Sequence, residues 1–211
     1  MWINFVNWFT KITAWPLQWV CFRTKVYYQD RAAQGRRIRG GAVLVSNHTS
    51  VFDYAVYLFV FFSRTLRVQM AEVLFRKPVL GTYLKWMGGI YVDRDTHDPG
   101  CIVASQQVLY RGGVVGVFPE GRLPRPGETP PLEYKTGAAY LALTCGVPLI
   151  PVYTDGSYFR RRRARVMIGT PLYAEDLIRD GMSEKERLAC VTDAVRERIS
   201  ELGRLLNEQS K

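Results

Sequence analysis

Two histidines occur in the 211-residue chain, and one of them, His48, stands in the stretch Ser46-Asn47-His48-Thr49-Ser50-Val51-Phe52-Asp53. An imidazole can take a proton from a hydroxyl near neutral pH when its other nitrogen is held as a donor. A carboxylate five residues on can hold it if the segment folds back. Asp53 would accept the Nδ1 proton and leave Nε2 as the acceptor. That is the base-and-orienter half of a triad. No GxSxG nucleophile accompanies it, so the hydroxyl would belong to a substrate and transfer would be direct. The plainer reading is that Asp53 complements a helix N-terminus while His48 caps a turn.

A second stretch runs Val117-Phe118-Pro119-Glu120-Gly121-Arg122 and on to Arg125. Gly121 lets a ligand approach the backbone, and an arginine fork can grip a phosphate at two points. The bland alternative is a strand-to-loop turn with solvated arginines. Gly88-Gly89-Ile90-Tyr91-Val92-Asp93-Arg94 places another arginine after a short apolar run. Val147-Pro148-Leu149-Ile150-Pro151-Val152 is an apolar run bracketed by prolines. The four cysteines, Cys21, Cys101, Cys145 and Cys190, form no CxxC pair. They read as reduced thiols, and no metal site is expected. His97, in a polar loop beside Asp95 and Asp98, needs no special role.

The elements that must position these groups alternate. Strands are predicted over 42–46, 66–70, 90–92, 114–118, 149–153 and 165–168. Helices are predicted over 51–62, 78–87, 100–111, 136–145 and 184–208. The pattern implies an α/β fold, a sheet covered by helices on both faces. Ligands in such sheets gather beyond the carboxyl ends of the strands, which is where the unusual segments fall. The apolar run 54–62 either lines a groove or is a core helix. Ser183 with Glu186 forms a capping box for the last helix.

Residues 1–30 hold four of the five tryptophans, Trp2, Trp8, Trp15 and Trp19. Lys11 and Pro16 interrupt the apolar run, so neither half offers the roughly 20 clean apolar residues of a bilayer span. Indole and phenol rings favour the headgroup level. The segment therefore reads as one or two amphipathic interfacial helices ending in the basic anchor Arg23 and Lys25. Packing of these helices on the protein's own core is the alternative, and a single tilted span from Ile12 to Phe22 plus flanks a third reading. A basic linker, 30–41, leads to an α/β domain over 31–211.

The formal charge of +10 suits a phosphate-rich partner. A nucleic acid is the runner-up, but the aromatics cluster apart from the basic residues, so none is expected. The run Arg160 to Arg163 with Arg165 could meet anionic lipid, an acidic protein surface or only solvent.

Taken together, the motifs resemble the glycerolipid acyltransferase superfamily. Its NHxxxxD block is matched by Asn47, His48 and Asp53. The block ending in V-D-R is matched by Pro78 to Gly81 and Gly88 to Arg94. FPEG is matched by Phe118 to Gly121, the lysine-glycine-alanine step by Lys135, Gly137 and Ala138, and VPIxPV by Val147 to Val152. The resemblance spans about residues 40–155. It implies a central mixed sheet covered on both faces, with N-terminal membrane-interfacial helices. It also implies transfer of an acyl group from acyl-CoA or an acyl carrier protein thioester to a lysophospholipid hydroxyl. The first choice of acceptor is 1-acyl-sn-glycerol 3-phosphate; another lysolipid, or a non-catalytic lipid-binding protein of the same fold, is the alternative. No cofactor is implied. In the family the histidine is the general base and the aspartate orients it. Asn47, Arg94, Glu120, Gly121, Arg122 and Arg125 become the substrate-binding candidates, and the cytoplasmic face of the cell membrane the implied location, held peripherally or monotopically. Arg122 stands where the family has threonine, and Leu123-Pro124 where it has Arg-Ser, so the phosphate arginine is Arg122 or Arg125. Ala71 replaces the usual lysine of the second block, with Glu72 shifted.

Overall fold

The computed structural model describes residues 1–93, 99–160 and 163–209. In chain order the elements are α1 (Trp2–Thr13), α2 (Trp15–Cys21), β1 (Lys25–Tyr28), β2 (Ala42–Ser46), α3 (Asp53–Val60), β3 (Leu66–Ala71), α4 (Glu72–Phe75) and α5 (Pro78–Met87). They continue with β4 (Ile90–Val92), α6 (Gly100–Tyr110), β5 (Val114–Val117), α7 (Gly137–Cys145), β6 (Leu149–Thr154), β7 (Arg165–Ile168) and α8 (Glu184–Glu208).

Seven strands form one sheet in the order β1-β7-β6-β2-β5-β3-β4. Every pairing is parallel except that of β6 with β7, so the sheet is mixed and the fold α/β. β2 lies at the centre, and all five of its residues are buried. That is why it reads as a continuous apolar run rather than an alternating one. Its side chains still alternate. Leu44 joins the core under α3, whereas Val43 and Val45 join the core under α7 and α8. Burying each such side chain contributes on the order of 1.5–3 kcal/mol. The carboxyl ends of β2, β3, β5 and β6 all open on one edge, and the loops after β2, β5 and β6 meet there.

The bounds of α5 and α8 fall as the periodicity predicts, and Ser183 and Glu186 form the reciprocal capping box. Segment 54–62 resolves as a core helix: Val56, Tyr57, Leu58 and Val60 of α3 are buried. Phe59, Val60 and Phe62 at its far end nonetheless line an open cavity.

One feature of the N-terminal segment differs from expectation. The helices stop at Cys21, and Lys25–Tyr28 instead adds a parallel edge strand beside β7. Val26, Tyr27 and Tyr28 are branched or aromatic, which suits a pleated half-buried surface. Of the basic anchor only Lys25 enters this strand, and both Arg23 and Lys25 stay exposed. α1 is also turned inside out relative to a soluble amphipathic helix. Asn7 and Lys11 face the protein and are buried, while Trp2, Phe5, Phe9 and Ile12 are 56–64% exposed. Lys11 Nζ donates to the carbonyls of Phe62 at 3.0 Å and Arg64 at 2.6 Å. Asn7 Nδ2 donates to Met87 O at 2.9 Å. Among the described residues no helix is long and apolar enough to cross a membrane.

Candidate active site

The segment between β2 and α3 folds back as a tight turn, and Asp53 is its fastening point. Its carboxylate is fully buried. Oδ2 accepts the backbone amides of Thr49 at 2.8 Å and Ser50 at 2.9 Å. Oδ1 accepts the hydroxyls of Thr49 at 2.8 Å and Tyr158 at 2.7 Å. The fifth partner is His48, whose Nδ1 lies 2.9 Å from Oδ2. A carboxylate only accepts, so Nδ1 carries the proton and Nε2 offers its lone pair. Among the described residues Nε2 has no protein partner, and 16% of the His48 side chain is exposed. The ring stacks on Phe118, with centroids 4.2 Å apart.

Burial and the neighbouring Asp53 charge push the Tyr158 phenol well above its ordinary range. It therefore stays protonated and remains a donor to Asp53. Its hydroxyl is also 2.9 Å from Thr154 Oγ1.

Asn47 and Glu120 act on backbone. The Asn47 side chain pairs both ways with Thr154, Nδ2 to O at 2.9 Å and N to Oδ1 at 2.9 Å. It locks the end of β2 to the end of β6. Glu120 is 4% exposed. Its Oε1 accepts the His48 amide at 3.0 Å, and its Oε2 accepts the Leu132 amide at 3.2 Å. These two residues brace the loops that carry His48 and the arginines.

Gly121 adopts φ +70°, and a Cβ there would approach the Lys135 stem to 3.1 Å. A side chain there would be strained by the backbone conformation and would crowd the Lys135 stem. The Lys135 ammonium stands beside this glycine. Arg122 is engaged by Glu128 in a two-point fork, 2.5 and 2.8 Å. Glu128 also accepts the Arg125 amide at 2.8 Å. The Arg122 guanidinium and that amide hold the Glu128 carboxyl down to about 2. Arg125 is exposed. Arg94 and His97 lie outside the described residues. Arg165 turns inward, donating to Asp155 Oδ2 at 2.8 Å and to Leu206 O at 3.1 Å. It is therefore structural rather than a free member of the basic run. Among the described residues the four cysteines form no disulfide. Among the described residues no group of three or more His, Cys, Asp or Glu could hold a metal ion.

Sequence reasoning missed Tyr158 and Thr49 as holders of Asp53. The signal for Tyr158 was its place in Thr154 to Phe159, a loop after a buried strand at the same edge as His48.

A family model described as Acyltransferase matches residues 19–155. The chain is 30% identical over 173 residues to the 1-acyl-sn-glycerol-3-phosphate acyltransferase of Bacillus subtilis (strain 168), covering 80% of this chain and 84% of that protein. It is 30% identical over 122 residues to 1-acyl-sn-glycerol-3-phosphate acyltransferase beta of Homo sapiens, covering 56% of this chain and 42% of that protein. The crystal structure of the 1-acyl-sn-glycerophosphate (LPA) acyltransferase PlsC from Thermotoga maritima shares the fold, with a TM-score of 0.62 and 22% identity over 95% of this chain and 79% of that one.

Proposed function

The chain belongs to the acyltransferase family and is an enzyme of that class; from this premise we propose that it moves a fatty acyl group from acyl-CoA or an acyl carrier protein thioester to 1-acyl-sn-glycerol 3-phosphate, giving phosphatidic acid. The names of the relatives support the acceptor. The observation that carries the chemistry is His48 held by Asp53 at the open edge of the sheet, with Nε2 unoccupied by any described residue.

The acceptor hydroxyl gives its proton to His48 Nε2 as its oxygen bonds to the thioester carbonyl carbon. The carbon–sulfur bond then breaks, and the leaving thiolate takes the proton back from the imidazolium. Asp53 stabilises the imidazolium and fixes the ring, which general-base catalysis requires; such help is worth about 10²–10⁴-fold. Orientation must supply more, up to ~7–11 kcal/mol. Arg122, Arg125 and Lys135 are the described cations that would hold the acceptor phosphate beside His48. Arg122 can do so only by releasing Glu128.

α1 and α2 lie in the membrane interface on this reading, which places the enzyme peripherally on the bilayer. Support comes from the inverted face of α1, with polar groups inward and rings outward. The test is a donor-by-acceptor screen with purified protein, read by mass spectrometry. Phosphatidic acid formed from 1-acyl-sn-glycerol 3-phosphate supports the proposal. Acylation of some other lysolipid, with this acceptor inert, rejects it.

A further inference from the structure

A cavity of about 780 Å³ opens at the edge of the sheet opposite His48. One wall is the linker before β2, carrying Arg36, Arg37 and Arg39. The other wall is the end of α3 with Trp15 of α2. α3 spans 8 residues, so the cavity lies roughly 12 Å along it from the catalytic turn, at 1.5 Å per residue.

The cavity is built, not incidental. Arg64 donates to the carbonyls of Ile38 at 3.0 Å and Gly40 at 2.9 Å, and also to that of Gly112. It fixes the backbone that displays the other three arginines. Those three are exposed and make no ion pair among the described residues. Among the described residues no acidic side chain lines the space. Its floor is apolar: Trp15 packs edge-on against Phe59 at 6.1 Å and Phe62 at 5.3 Å. The chemistry is that of an amphiphile, anionic at one end and apolar at the other.

α2 ties this cavity to both the membrane face and the catalytic edge. It starts at Trp15, exposes Leu17, Trp19 and Val20, and ends where Cys21 O accepts the Phe159 amide at 3.0 Å. Phe22, next in sequence, packs on Tyr158. A bilayer covering the outer face of α2 would therefore bring its headgroups to the arginine wall at one end and to the His48 loop at the other.

We propose that this cavity binds the phosphate headgroup of an anionic phospholipid of the bilayer, separately from the acceptor site, with the arginine linker on the phosphate and Trp15, Phe59 and Phe62 on the glycerol and upper chains. An acidic protein would meet the arginines equally well, but the aromatic floor beside exposed α2 favours lipid.

The proposal rests on the interfacial reading of α1 and α2, and vesicle flotation separates the two. The probes are phosphatidylcholine vesicles with and without phosphatidic acid, mixed with the full chain. Wild type is expected to float on both and to bind the anionic vesicles more tightly. The triple variant R36Q/R37Q/R39Q should keep neutral binding and lose at least about tenfold on anionic vesicles. Arg36→Glu alone should move affinity the same way. A control of equal charge, R179Q/K185Q/R204Q, has its residues near or on α8, across the sheet; it should retain anionic binding. Equal loss in both triple variants, or none in either, would overturn the proposal. So would loss of neutral binding in the arginine variant, or a defect confined to capture of an acidic acyl carrier protein. Wild type that ignores neutral vesicles but prefers anionic ones would end the interfacial reading and leave the cavity standing.

Discussion

Tyr158 donates its hydroxyl to Asp53 Oδ1 at 2.7 Å, across 105 positions of sequence. The bond joins the loop after β6 to the turn after β2 at the residue that orients His48. Tyr158→Phe keeps the ring packed on Phe22 and deletes one of the five hydrogen bonds to Asp53. Loss of one such bond to a charged group is worth about 1.5–3 kcal/mol. Steady-state kinetics should show kcat falling about tenfold or more, with the acceptor KM nearly unchanged. A rise in KM alone would mean that the tyrosine meets the substrate instead.

Arg122 is held by a carboxylate of its own loop, and a phosphate dianion would compete for the same fork. Glu128→Gln removes the charge and weakens that hold. The acceptor KM should fall severalfold while kcat stays close to wild type. Arg122→Ala should raise KM by at least tenfold. Equal KM values in wild type and both variants would remove Arg122 from the acceptor site and turn attention to Arg125 and Lys135.

Lys11 gives a pH test of the inverted helix. Burial lowers it from its ordinary 10.5 to about 8. Between those values the unfolded chain binds more protons than the folded one, so stability rises with pH across that window. Below about 8 both states are protonated, and the full penalty of the buried charge is present. Lys11→Met removes the titration but leaves the Phe62 and Arg64 carbonyls without their donor. Thermal melts at about pH 7.5 and pH 10 should show wild type gaining on the variant at the higher pH. A constant gap would mean that the ammonium is solvated and that α1 does not pack as described.

Legibility in the sequence followed the locality of the forces. β2, α5 and α8 fall at their expected bounds because run length, periodicity and caps are written within each segment. The His48–Asp53 pair was legible because a six-residue turn between strand and helix leaves few ways to fold. β1 was hidden, since a four-residue edge strand inside an aromatic stretch has little period of its own. The inward face of α1 depends on carbonyls more than fifty positions away. The grip of Tyr158 on Asp53 and the inward turn of Arg165 likewise arise only when distant loops converge. Arg122 and Glu128 lie six positions apart in one loop, but a loop has no periodicity that fixes which side chains face each other.

Replacing the proposed base tests the account most directly. His48→Ala should leave the far-ultraviolet spectrum and melting curve close to wild type, because the ring is partly exposed and Asp53 keeps four other partners. Phosphatidic acid formation from a thioester donor and 1-acyl-sn-glycerol 3-phosphate should fall at least a thousandfold under saturating substrate. A folded variant that still turns over within tenfold of wild type would contradict the claim that this imidazole draws the proton from the acceptor.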